Sequence, residues 1–537
     1  SNEDTGGQFR THADEAYLIG ENKSPVGAYL DIPAIIDLAK RRGVDAIHPG
    51  YGFLSENADF AKACEDAGIS FIGPPSDILA MMGDKLSAKQ IAIKAGVPII
   101  PGSTEPLKDG DEALEKAISF GFPIILKAAA GGGGRGMRRC DTPEEVKPAF
   151  ELVRSEAQKA FGTDDIFIEK FLVEPKHIEV QVLADKYGNC YHIGERDCSL
   201  QRRYQKVVEF APAWSVDPEI VANIRNDAVK IAKSVGYINA GTLEFLVDKS
   251  GSYYFIEMNP RIQVEHTVTE MVTGIDLVRA QILIAEGYPL SHPAIGLNSQ
   301  DDVHVRGYAI QCRVTTEDPT NNFAPDNGKI TSYRTGGGNG VRLDGGNATT
   351  GTVISPYYDS LLVKVTCWDN SFQGTCRKAL RAISEVRVRG VKTNIPFVSN
   401  ILSHPTFVAG KCHTKFIDET PELFDITDSK DRATRVLKYI ANIQVANPNA
   451  ERKQYDTPRF PKGSGQPKPA LKQLLDEKGP KALSQWVMDQ KKLLITDTTM
   501  RDAHQSLLST RMRTRDMVKG ADGTADILAD CFSLEMW

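Results

Sequence analysis

Two glutamates of the sequence lie where a β-hairpin would bring them face to face. Residues 241–247 and 253–259 are rich in β-branched and aromatic side chains, and the turn-forming residues 248–251 separate them, a pattern that predicts a hairpin. In this hairpin Glu244 pairs with Glu257. Directly opposed like charges destabilise a sheet, and a hard cation between them removes the conflict. Mg²⁺ accepts one or two carboxylates and completes its octahedron with water and nucleotide phosphates.

The register of this pairing depends on the length of the loop. If the loop comprises residues 249–252, then Asp248 pairs with Tyr253, and counting back along both strands opposes the two glutamates. Asn259 follows Glu257 by two residues and therefore lies on the same face of its strand, where its side-chain oxygen can join the metal site. The alternative is a shifted register with one glutamate in solvent.

The segment that follows the hairpin is typical of an anion pocket with a base. Arg261, Gln263 and Glu265 occupy alternate positions. The fork of an arginine suits a planar carboxylate or bicarbonate, and a nearby glutamate can take its proton. Arg313 lies in another strand pattern, where a lone arginine is usually a salt-bridge partner.

A run of glycines indicates a phosphate site. Residues 122–130 are typical of a strand, and this strand leads into the run at 131–134. Consecutive glycines lose much backbone entropy on ordering, and they suit a place where bare amides close over phosphate oxygens. The run also matches G-x-G-x-x-G, but a dinucleotide fingerprint needs a helix that opens at the loop, and the next predicted helix begins later, near residue 142. We expect a mobile flap with Lys127 touching a phosphate and with the amides of Gly132, Gly133 and Gly134 covering it. The alternative is a glycine hinge without a ligand.

Strict alternation over residues 177–182 predicts a strand with one polar face. That face carries His177, Glu179 and Gln181, and the intervening residues are apolar. The alternative is an ordinary solvent-facing strand. The charged and amide side chains of 195–206 form either a surface loop or the wall of a binding site.

Composition excludes several classes of protein. The net charge is −6, with 64 basic and 70 acidic residues and no arginine- or lysine-rich tract, which argues against a nucleic-acid surface. No apolar run reaches the ~20 residues of a membrane span. The nine cysteines are scattered without a C-x-x-C pair, which favours reduced buried thiols in an intracellular protein over zinc sites or disulfides.

Together these segments resemble the biotin carboxylase family of the ATP-grasp fold. The resemblance covers residues 1 to about 415 and rests on the motifs HPGYGFLSEN (48–57), GDK (83–85), ILKAAAGGGGRGM (125–137), EPKHIEVQVL (174–183), ERDCSLQRRYQKVVE (195–209) and FIEMNPRIQVEHTVTE (255–270). The family implies a two-step reaction. Bicarbonate attacks the γ-phosphate of MgATP to give carboxyphosphate, and the CO₂ that this releases carboxylates a ureido nitrogen of biotin.

The resemblance implies a role for each matching position. Lys85 and Lys127 match the nucleotide-phosphate lysines. The adenine pocket matches Glu169, Lys170, Leu172 and Leu246, and the ribose and nucleotide contacts match His177 and Gln201. The Mg²⁺ cluster matches Glu244, Glu257 and Asn259, in agreement with the hairpin argument. The bicarbonate pocket matches Lys206, Arg261, Gln263 and Val264. Glu265 matches the general base, and Arg313 matches the residue that stabilises the biotin enolate. Tyr51 matches a residue that contacts biotin.

The C-terminal segment resembles a second catalytic domain. Residues 494–506 are typical of a strand that runs into a polar loop, the place where a TIM barrel carries its functional residues. The segment resembles the first strand of the carboxyltransferase of pyruvate carboxylases, which implies a divalent metal at Asp502 and pyruvate contacts at Arg501 and Gln505. The acyl-CoA carboxylases use an unrelated transferase. The alternative is a capped helix and loop with an incidental Asp-His pair.

These resemblances predict an α/β and α+β multidomain chain, since 537 residues exceed a single core. The predicted regions are an N-terminal α/β domain without its first strands (1–100), the ATP-grasp lid (101–171), the antiparallel-sheet remainder of the biotin carboxylase (172–415), a linker or allosteric region (416–490) and the truncated start of a carboxyltransferase TIM barrel (491–537).

The family also implies cofactors and partners. We expect ATP, Mg²⁺ and bicarbonate at the first site, a second divalent metal such as Mn²⁺ or Zn²⁺ in the carboxyltransferase, pyruvate as the final acceptor, and biotin on a carrier domain outside this chain. Acetyl-CoA commonly activates at the linker, where Arg432 and Arg435 are candidate phosphate contacts. A homotetramer is expected, in the cytoplasm or, for an animal protein, in the mitochondrial matrix. The alternatives are the biotin carboxylase component of an acyl-CoA carboxylase, another ATP-grasp ligase, and a catalytically idle ATP-binding regulatory fragment.

Overall fold

In the computed structural model the chain divides into two units, Ser1–Asp428 and Ser429–Trp537. The structure describes residues 1–103, 105–128, 136–161, 164–346, 348–426, 432–442, 470–507 and 512–536. Within these ranges, no helix combines the length and the apolar character that a membrane span requires.

The N-terminal layer is built on a short parallel pair, β1 (Ala46–Ile47) with β2 (Ser70–Phe71). Parallel strands need a crossover connection, and a helix of the intervening chain supplies it. The end of another helix is fixed by Gly43, whose φ of 63° is a conformation that glycine adopts without strain. The helices of the layer are α1 (Phe9–His12), α2 (Pro25–Tyr29), α3 (Ile32–Arg42), α4 (Ala58–Asp66), α5 (Ser76–Gly83) and α6 (Lys85–Lys94).

A three-stranded antiparallel sheet with two helices forms the predicted lid region. Its strand order is β4-β3-β5, and buried apolar residues such as Leu126 and Phe150 fill the space between sheet and helices. Lys127 on β3 and Glu169 on β5 lie diagonally on one face. The elements are α7 (Gly110–Phe120), β3 (Ile124–Ala128), β4 (Met137–Cys140), α8 (Pro143–Phe161) and β5 (Ile166–Lys170).

An eight-stranded antiparallel sheet carries most of the predicted site residues. The strands of this region are β6 (Lys176–Ala184), β7 (Cys190–Arg202), β8 (Gln205–Ala211), β9 (Asn239–Val247), β10 (Tyr253–Asn259), β11 (Tyr308–Thr315), β12 (Glu317–Asp318), β13 (Ala324–Pro325), β14 (Gly328–Lys329), β15 (Ser332–Arg334), β16 (Val341–Gly345), β17 (Val353–Ile354), β18 (Leu361–Asp369) and β19 (Arg387–Arg389). The large sheet has the order β10-β9-β6-β7-β8-β11-β18-β16, and the remaining strands form two-stranded pairs.

The two faces of this sheet bury different kinds of side chain. One face is apolar and packs against the flanking helices, as Ile178 and Val180 show on β6 and Ile310 and Cys312 on β11. The opposite face is polar, and α10 lies against it, where Thr267 Oγ1 lies within hydrogen-bonding distance of side chains of β11 and β18. The helices of the region are α9 (Pro218–Ser234), α10 (His266–Thr273), α11 (Leu277–Ala285), α12 (Phe372–Glu385), α13 (Ile395–Ser403), α14 (Pro405–Val408) and α15 (Phe416–Glu419).

The second unit contains a short parallel pair of strands, which a helix connects. The pair is β20 (Thr496–Asp497) with β21 (Ser533–Leu534), and the rings of Trp486 and Phe532 stack with centroids 6.3 Å apart. A π-helical segment, Thr499–Leu507, follows β20. The helices of the unit are α16 (Arg432–Ala441), α17 (Ala470–Asp489), which is kinked at Gly479, and α18 (Thr514–Ile527).

The core beside β8 gives a prediction about stability. The Phe210 ring is 1% exposed and lies 5.1 Å from the ring of Phe372 and 6.1 Å from that of Phe407, centroid to centroid. Phe210→Ala should lower the free energy of unfolding of this unit by about 3–5 kcal/mol, because it removes buried area and leaves a cavity. Denaturant titration measures the loss. The control is Phe9→Ala at a half-exposed site, where a change within about 0.5 kcal/mol is expected. Equal effects of the two substitutions would contradict the assignment of this core.

Candidate active site

Three glutamates stand in one row across β6, β9 and β10. Glu179 pairs with Glu244, and Glu244 pairs with Glu257, so the predicted opposition is observed. The predicted loop is wrong, because Tyr253 pairs with Val247 and the loop is one residue longer than predicted. A bulge just before Glu257 restores the opposition of the glutamates.

Two cations stabilise this row of carboxylates. His177 Nε2 lies 3.0 Å from Glu244 Oε2, and Lys206 Nζ lies 3.0 Å from Glu244 Oε1 and contacts Glu179. Burial alone would raise the pKa of Glu244, but these two charges outweigh burial and hold the pKa well below its usual range. Burial alone would lower the pKa of His177, but Glu244 and Glu179 raise it to about 9. The imidazole is therefore cationic at neutral pH.

The hairpin offers oxygen donors that fit a hard cation. Glu244, Glu257 and Asn259 lie on β9 and β10, and Asn259 Nδ2 donates to Glu244 Oε1 at 2.8 Å. The low pKa of Glu244 keeps its carboxylate ionised, as a metal ligand must be. Carboxylate and amide oxygens are the donors that Mg²⁺ takes, so these residues fit that ion.

Glu265 lies between two cations. Its Oε1 is 2.7 Å from Lys206 Nζ, and its Oε2 accepts from Arg313 Nη2 at 3.0 Å. The fold places it there because the chain leaves β10 and enters α10 at Glu265, which is the N-cap residue of that helix. Its side chain makes no capping bond, since both of its oxygens are engaged by the cations. Arg313 in turn donates through Nε to Glu209 Oε1 at 2.5 Å.

The electrostatics keep Glu265 ionised. The residue is fully buried, and burial alone would raise its pKa. Lys206 and Arg313 act in the opposite direction and bring the pKa below its usual value. Burial raises the pKa of Glu209, the other carboxylate on Arg313. An ionised carboxylate beside two cations can receive a proton from an anion that those cations bind.

The polar face of β6 is buried rather than solvated, so the solvent-facing alternative is wrong. His177, Glu179 and Gln181 are all less than a tenth exposed. Arg196 on β7 is completely buried and donates to Gln181, Thr242 and Thr269 at 3.0 Å and to Glu179 at 3.3 Å. Residues 195–202 belong to β7 and form a wall of the site.

Sequence reasoning missed three supporting residues of this site. Glu179 was placed on the polar face by the alternation of its strand but was given no role. Arg196 and Glu209 carried no local signal that distinguished them from surface charges. Only their long-range partners, which lie on other strands and on α10, identify them.

A second ion-pair cluster joins α6 to the three-stranded sheet. Lys127 and Lys89 both contact the buried carboxylate of Glu169. Burial alone would raise the pKa of Glu169, but the two lysines lower it to about 2. Lys89, on α6, was not identified from the sequence. The Lys170 ammonium donates to the carbonyl of Gly121 at 2.8 Å and is therefore engaged by backbone.

The remaining nucleotide-site predictions are placed as follows. Gln201 Nε2 lies 2.9 Å from His177 Nδ1, and Leu246 is the register partner of His177 on β9. Leu172 and Leu246 are partly buried. Lys85 begins α6. The predicted residues that lie outside the described part of the chain are Gly132, Gly133 and Gly134, together with the side chain of Lys85.

The predicted bicarbonate residues form a connected set beside the hairpin. Arg261 donates to Asn259 Oδ1 and to Gln263 Oε1, both at 3.2 Å. Gln263 Nε2 donates to Glu244 Oε1 at 3.4 Å. Arg261 therefore connects Asn259, a predicted metal ligand, with Gln263 of the predicted bicarbonate pocket.

Tyr51 and Val264 share one neighbour. The carbonyl of Val264 accepts from Lys364 Nζ at 3.1 Å, and the same ammonium lies 5.8 Å from the centroid of the Tyr51 ring. Tyr51 is 41% exposed, so its ring is partly open to solvent.

The predicted carboxyltransferase residues lie in the second unit. Arg501, Asp502 and Gln505 belong to the π-helical segment after β20. Arg501 Nη2 donates to Glu535 Oε2 at 2.9 Å, and Asp502 Oδ1 accepts from Ser506 at 3.1 Å. The Asp502 side chain is 54% exposed and is open to a ligand.

Family models match most of the first unit. The model described as "Biotin carboxylase, N-terminal domain" matches residues 1–79, "Carbamoyl-phosphate synthase L chain, ATP binding domain" matches 84–293, and "Biotin carboxylase C-terminal domain" matches 311–419.

Curated relatives and solved structures match the chain more widely. Pyruvate carboxylase of Bacillus subtilis (strain 168) is 54% identical over all of this chain and 47% of its own length, and the mitochondrial pyruvate carboxylase of Mus musculus is 52% identical over all of this chain and 46% of its own length. The chain therefore spans about half the length of these relatives.

The biotin carboxylase domain of the Hydrogenobacter thermophilus 2-oxoglutarate carboxylase, solved with MgADP, ADP and bicarbonate, is 47% identical over 80% of this chain and 92% of that chain, with a TM-score of 0.75. The structure of Rhizobium etli pyruvate carboxylase T882A with the activator acetyl coenzyme A is 45% identical over 100% of this chain and 48% of that chain, with a TM-score of 0.76. The chain belongs to the pyruvate carboxylase family, and its first unit carries the biotin carboxylase region of that family in the ATP-grasp fold.

Proposed function

We propose that this chain carboxylates biotin at the expense of ATP and bicarbonate, and that the carboxyl group then passes to pyruvate to give oxaloacetate. The observation that carries the proposal is the buried Glu265 carboxylate held between Lys206, at 2.7 Å, and Arg313, at 3.0 Å. This arrangement can bind a small anion and take its proton. The MgADP and bicarbonate bound by the similar Hydrogenobacter domain support the same pair of substrates here.

Nucleotide binding would use the lid and the hairpin together. Lys127 on the lid would contact the phosphates, and cationic His177 would contact the nucleotide from β6. Mg²⁺, when bound by Glu244, Glu257 and Asn259, would neutralise phosphate charge. Phosphoryl transfer depends mainly on positioning and charge neutralisation, and these residues supply both.

Bicarbonate would occupy the pocket formed by Arg261, Gln263, Val264 and Lys206. Glu265 would take the bicarbonate proton, and the deprotonated oxygen would attack the γ-phosphorus of ATP, with ADP as the leaving group. The product, carboxyphosphate, breaks down to CO₂ and phosphate. The acceptor is the ureido group of biotin, with Tyr51 as a contact and Arg313 as the cation that stabilises its oxygen when the nitrogen is deprotonated.

The second half of the reaction would use residues of the second unit. Asp502 would hold a divalent metal such as Mn²⁺ or Zn²⁺, and Arg501 and Gln505 would contact pyruvate. Biotin would arrive on a carrier domain. Acetyl-CoA activation at Arg432 and Arg435 is proposed from the ligand of the Rhizobium etli relative; the side chains of both arginines lie outside the described part of the structure. A homotetramer is part of the same proposal, as is a cytoplasmic location, or a mitochondrial one for an animal protein.

The first prediction concerns the base. Glu265→Gln should abolish bicarbonate-dependent ATP cleavage and oxaloacetate formation, because the amide cannot accept the proton; the expected loss is about 100-fold or more. Phosphate release and avidin-sensitive oxaloacetate formation measure the two steps. The control is Glu151→Gln on the exposed side of α8, which should retain wild-type rates. Full activity of the Glu265 variant would refute the assignment. If the wild-type protein forms product from 2-oxoglutarate and not from pyruvate, only the proposed final acceptor is wrong.

The second prediction concerns the metal. Glu257→Gln should raise the Mg²⁺ concentration for half-maximal nucleotide binding by at least about tenfold, because one anionic oxygen of the site is lost. Calorimetric titration with ADP at graded Mg²⁺ measures this without turnover. An unchanged Mg²⁺ requirement would remove Glu257 from the metal site.

The third prediction separates the two half-reactions. Asp502→Asn in the full-length protein should reduce oxaloacetate formation by about 100-fold or more, because a ligand of the second metal is weakened. Bicarbonate-dependent ATP cleavage should remain within twofold of the wild type, since no residue of the first site changes. Parallel loss of both activities would show that Asp502 acts on the fold rather than on carboxyl transfer.

A further inference from the structure

Lys364 on β18 is a buried ammonium that the reaction scheme does not use. The residue is 5% exposed. Within the described part of the chain it makes one hydrogen bond, to the Val264 carbonyl at 3.1 Å, and no carboxylate lies within ion-pair distance of it. Lys206, by contrast, contacts three carboxylates. A buried charge without a counter-ion is costly, so the position of Lys364 calls for a partner that binds there.

The strands on either side of β18 do not supply that partner. The register partner of Lys364 on β11 is Arg313, and its partner on β16 is Asp344. Directly opposed like charges destabilise a sheet. Asp344 is occupied by Arg342, whose Nε and Nη2 lie 2.8 and 2.9 Å from its two oxygens.

Arg313 and Lys364 therefore differ in how far they are neutralised. Arg313 is flanked by Glu209 and Glu265. An ammonium has three N–H donors, and Lys364 uses one of them on the Val264 carbonyl. The two remaining donors lie on the polar face of the sheet, next to a guanidinium that already has its anions.

Lys364 lies beside two residues of the proposed acceptor and bicarbonate pockets, Tyr51 and Val264. Its Nζ donates to the Val264 carbonyl at 3.1 Å and lies 5.8 Å from the centroid of the Tyr51 ring. Burial lowers its pKa, and Asp344 offsets only part of this. In such a water-poor place a hydrogen bond from a cation to an oxygen that gains negative charge is strong.

We propose that Lys364 binds the ureido oxygen of biotin, beside Arg313, and is a further catalytic residue of the carboxylation. This inference rests on the proposed function. In the step concerned, the ureido N–H proton passes to the phosphate released from carboxyphosphate, and negative charge develops on the ureido oxygen. The nitrogen then forms its bond to CO₂, and the charge moves to the new carboxylate. Lys364 donates to the oxygen while it carries the charge.

The test compares Lys364→Met and Lys364→Arg in the purified protein, with free biotin as the acceptor. Lys364→Met keeps most of the length of the side chain and removes its charge. It should raise the KM for biotin and lower kcat for biotin carboxylation, by about 10- to 100-fold in kcat/KM, the range of one charge-assisted hydrogen bond. The KM for ATP and the slow bicarbonate-dependent ATP cleavage without biotin should stay within twofold. Lys364→Arg should retain most of the activity, since a cation remains.

Lys378→Met is the matched control. Lys378 Nζ also donates to a backbone carbonyl, that of Trp368 at 2.7 Å, and its side chain is 19% exposed, but it lies on α12 and has a counter-ion, Asp369, at 3.0 Å. The Lys378→Met substitution should leave the KM for biotin unchanged. An unchanged kcat/KM for biotin in Lys364→Met, or an equal loss in Lys364→Arg, would overturn the inference. A fall in ATP cleavage together with biotin carboxylation would assign Lys364 to the support of the Val264 turn instead. If the wild-type protein shows no bicarbonate-dependent ATP cleavage, the proposed function itself is wrong.

Discussion

The contact of one ammonium, that of Lys206, with Glu179, Glu244 and Glu265 is the interaction on which the rest of the site depends. These carboxylates come from β6, from β9 and from the start of α10, and all three are almost completely buried. Without the ammonium they would leave like charges in a place that water does not reach, which is far more costly than exposed repulsion. The ammonium therefore couples the position of α10 to the register of the sheet, and the proposed base is correctly placed only when both have formed.

The sheet makes this possible because both of its faces are buried. Most antiparallel sheets expose one face to water, but here α10 covers the polar face of β11 and β18, where Thr267 bonds to Gln311 and Thr366. Each polar group on that face needs a partner within the protein. The result is a continuous network, in which Arg196 fixes residues of β6 and β9 and Arg313 fixes the carboxylate at the start of α10. Such a network holds catalytic groups at fixed distances, as positioning-based catalysis requires.

Local sequence patterns predicted the parts of the site that repeat with a strand period. The polar face of residues 177–182 follows from counting residues. The expected opposition of Glu244 with Glu257 is observed, but only because a bulge compensates for a loop one residue longer than the count assumes. The bulge did not follow, because a regular strand would put Phe255 and Glu257 on the same face, whereas Phe255 lies in the core. The partners of Arg196, Glu209 and Lys89 lie far away in the sequence, so no local pattern distinguishes these residues from solvated charges. The resemblance to a known family, and not the physics of the residues, supplied the role of Tyr51 and the roles of the residues in the second unit.

The bulge on β10 also decides where this hairpin can change length during evolution. Ile256 is the extra residue between Phe255, which faces the core, and Glu257, which faces the site. Loss of Ile256 would leave a regular ladder with both neighbours still opposite their present partners, so the cost would fall on local twist. Loss of Met258 would instead turn Asn259 towards the apolar face and remove its oxygen from the proposed metal site. A deletion is therefore tolerated at Ile256 but separates the proposed metal ligands when it falls two residues later.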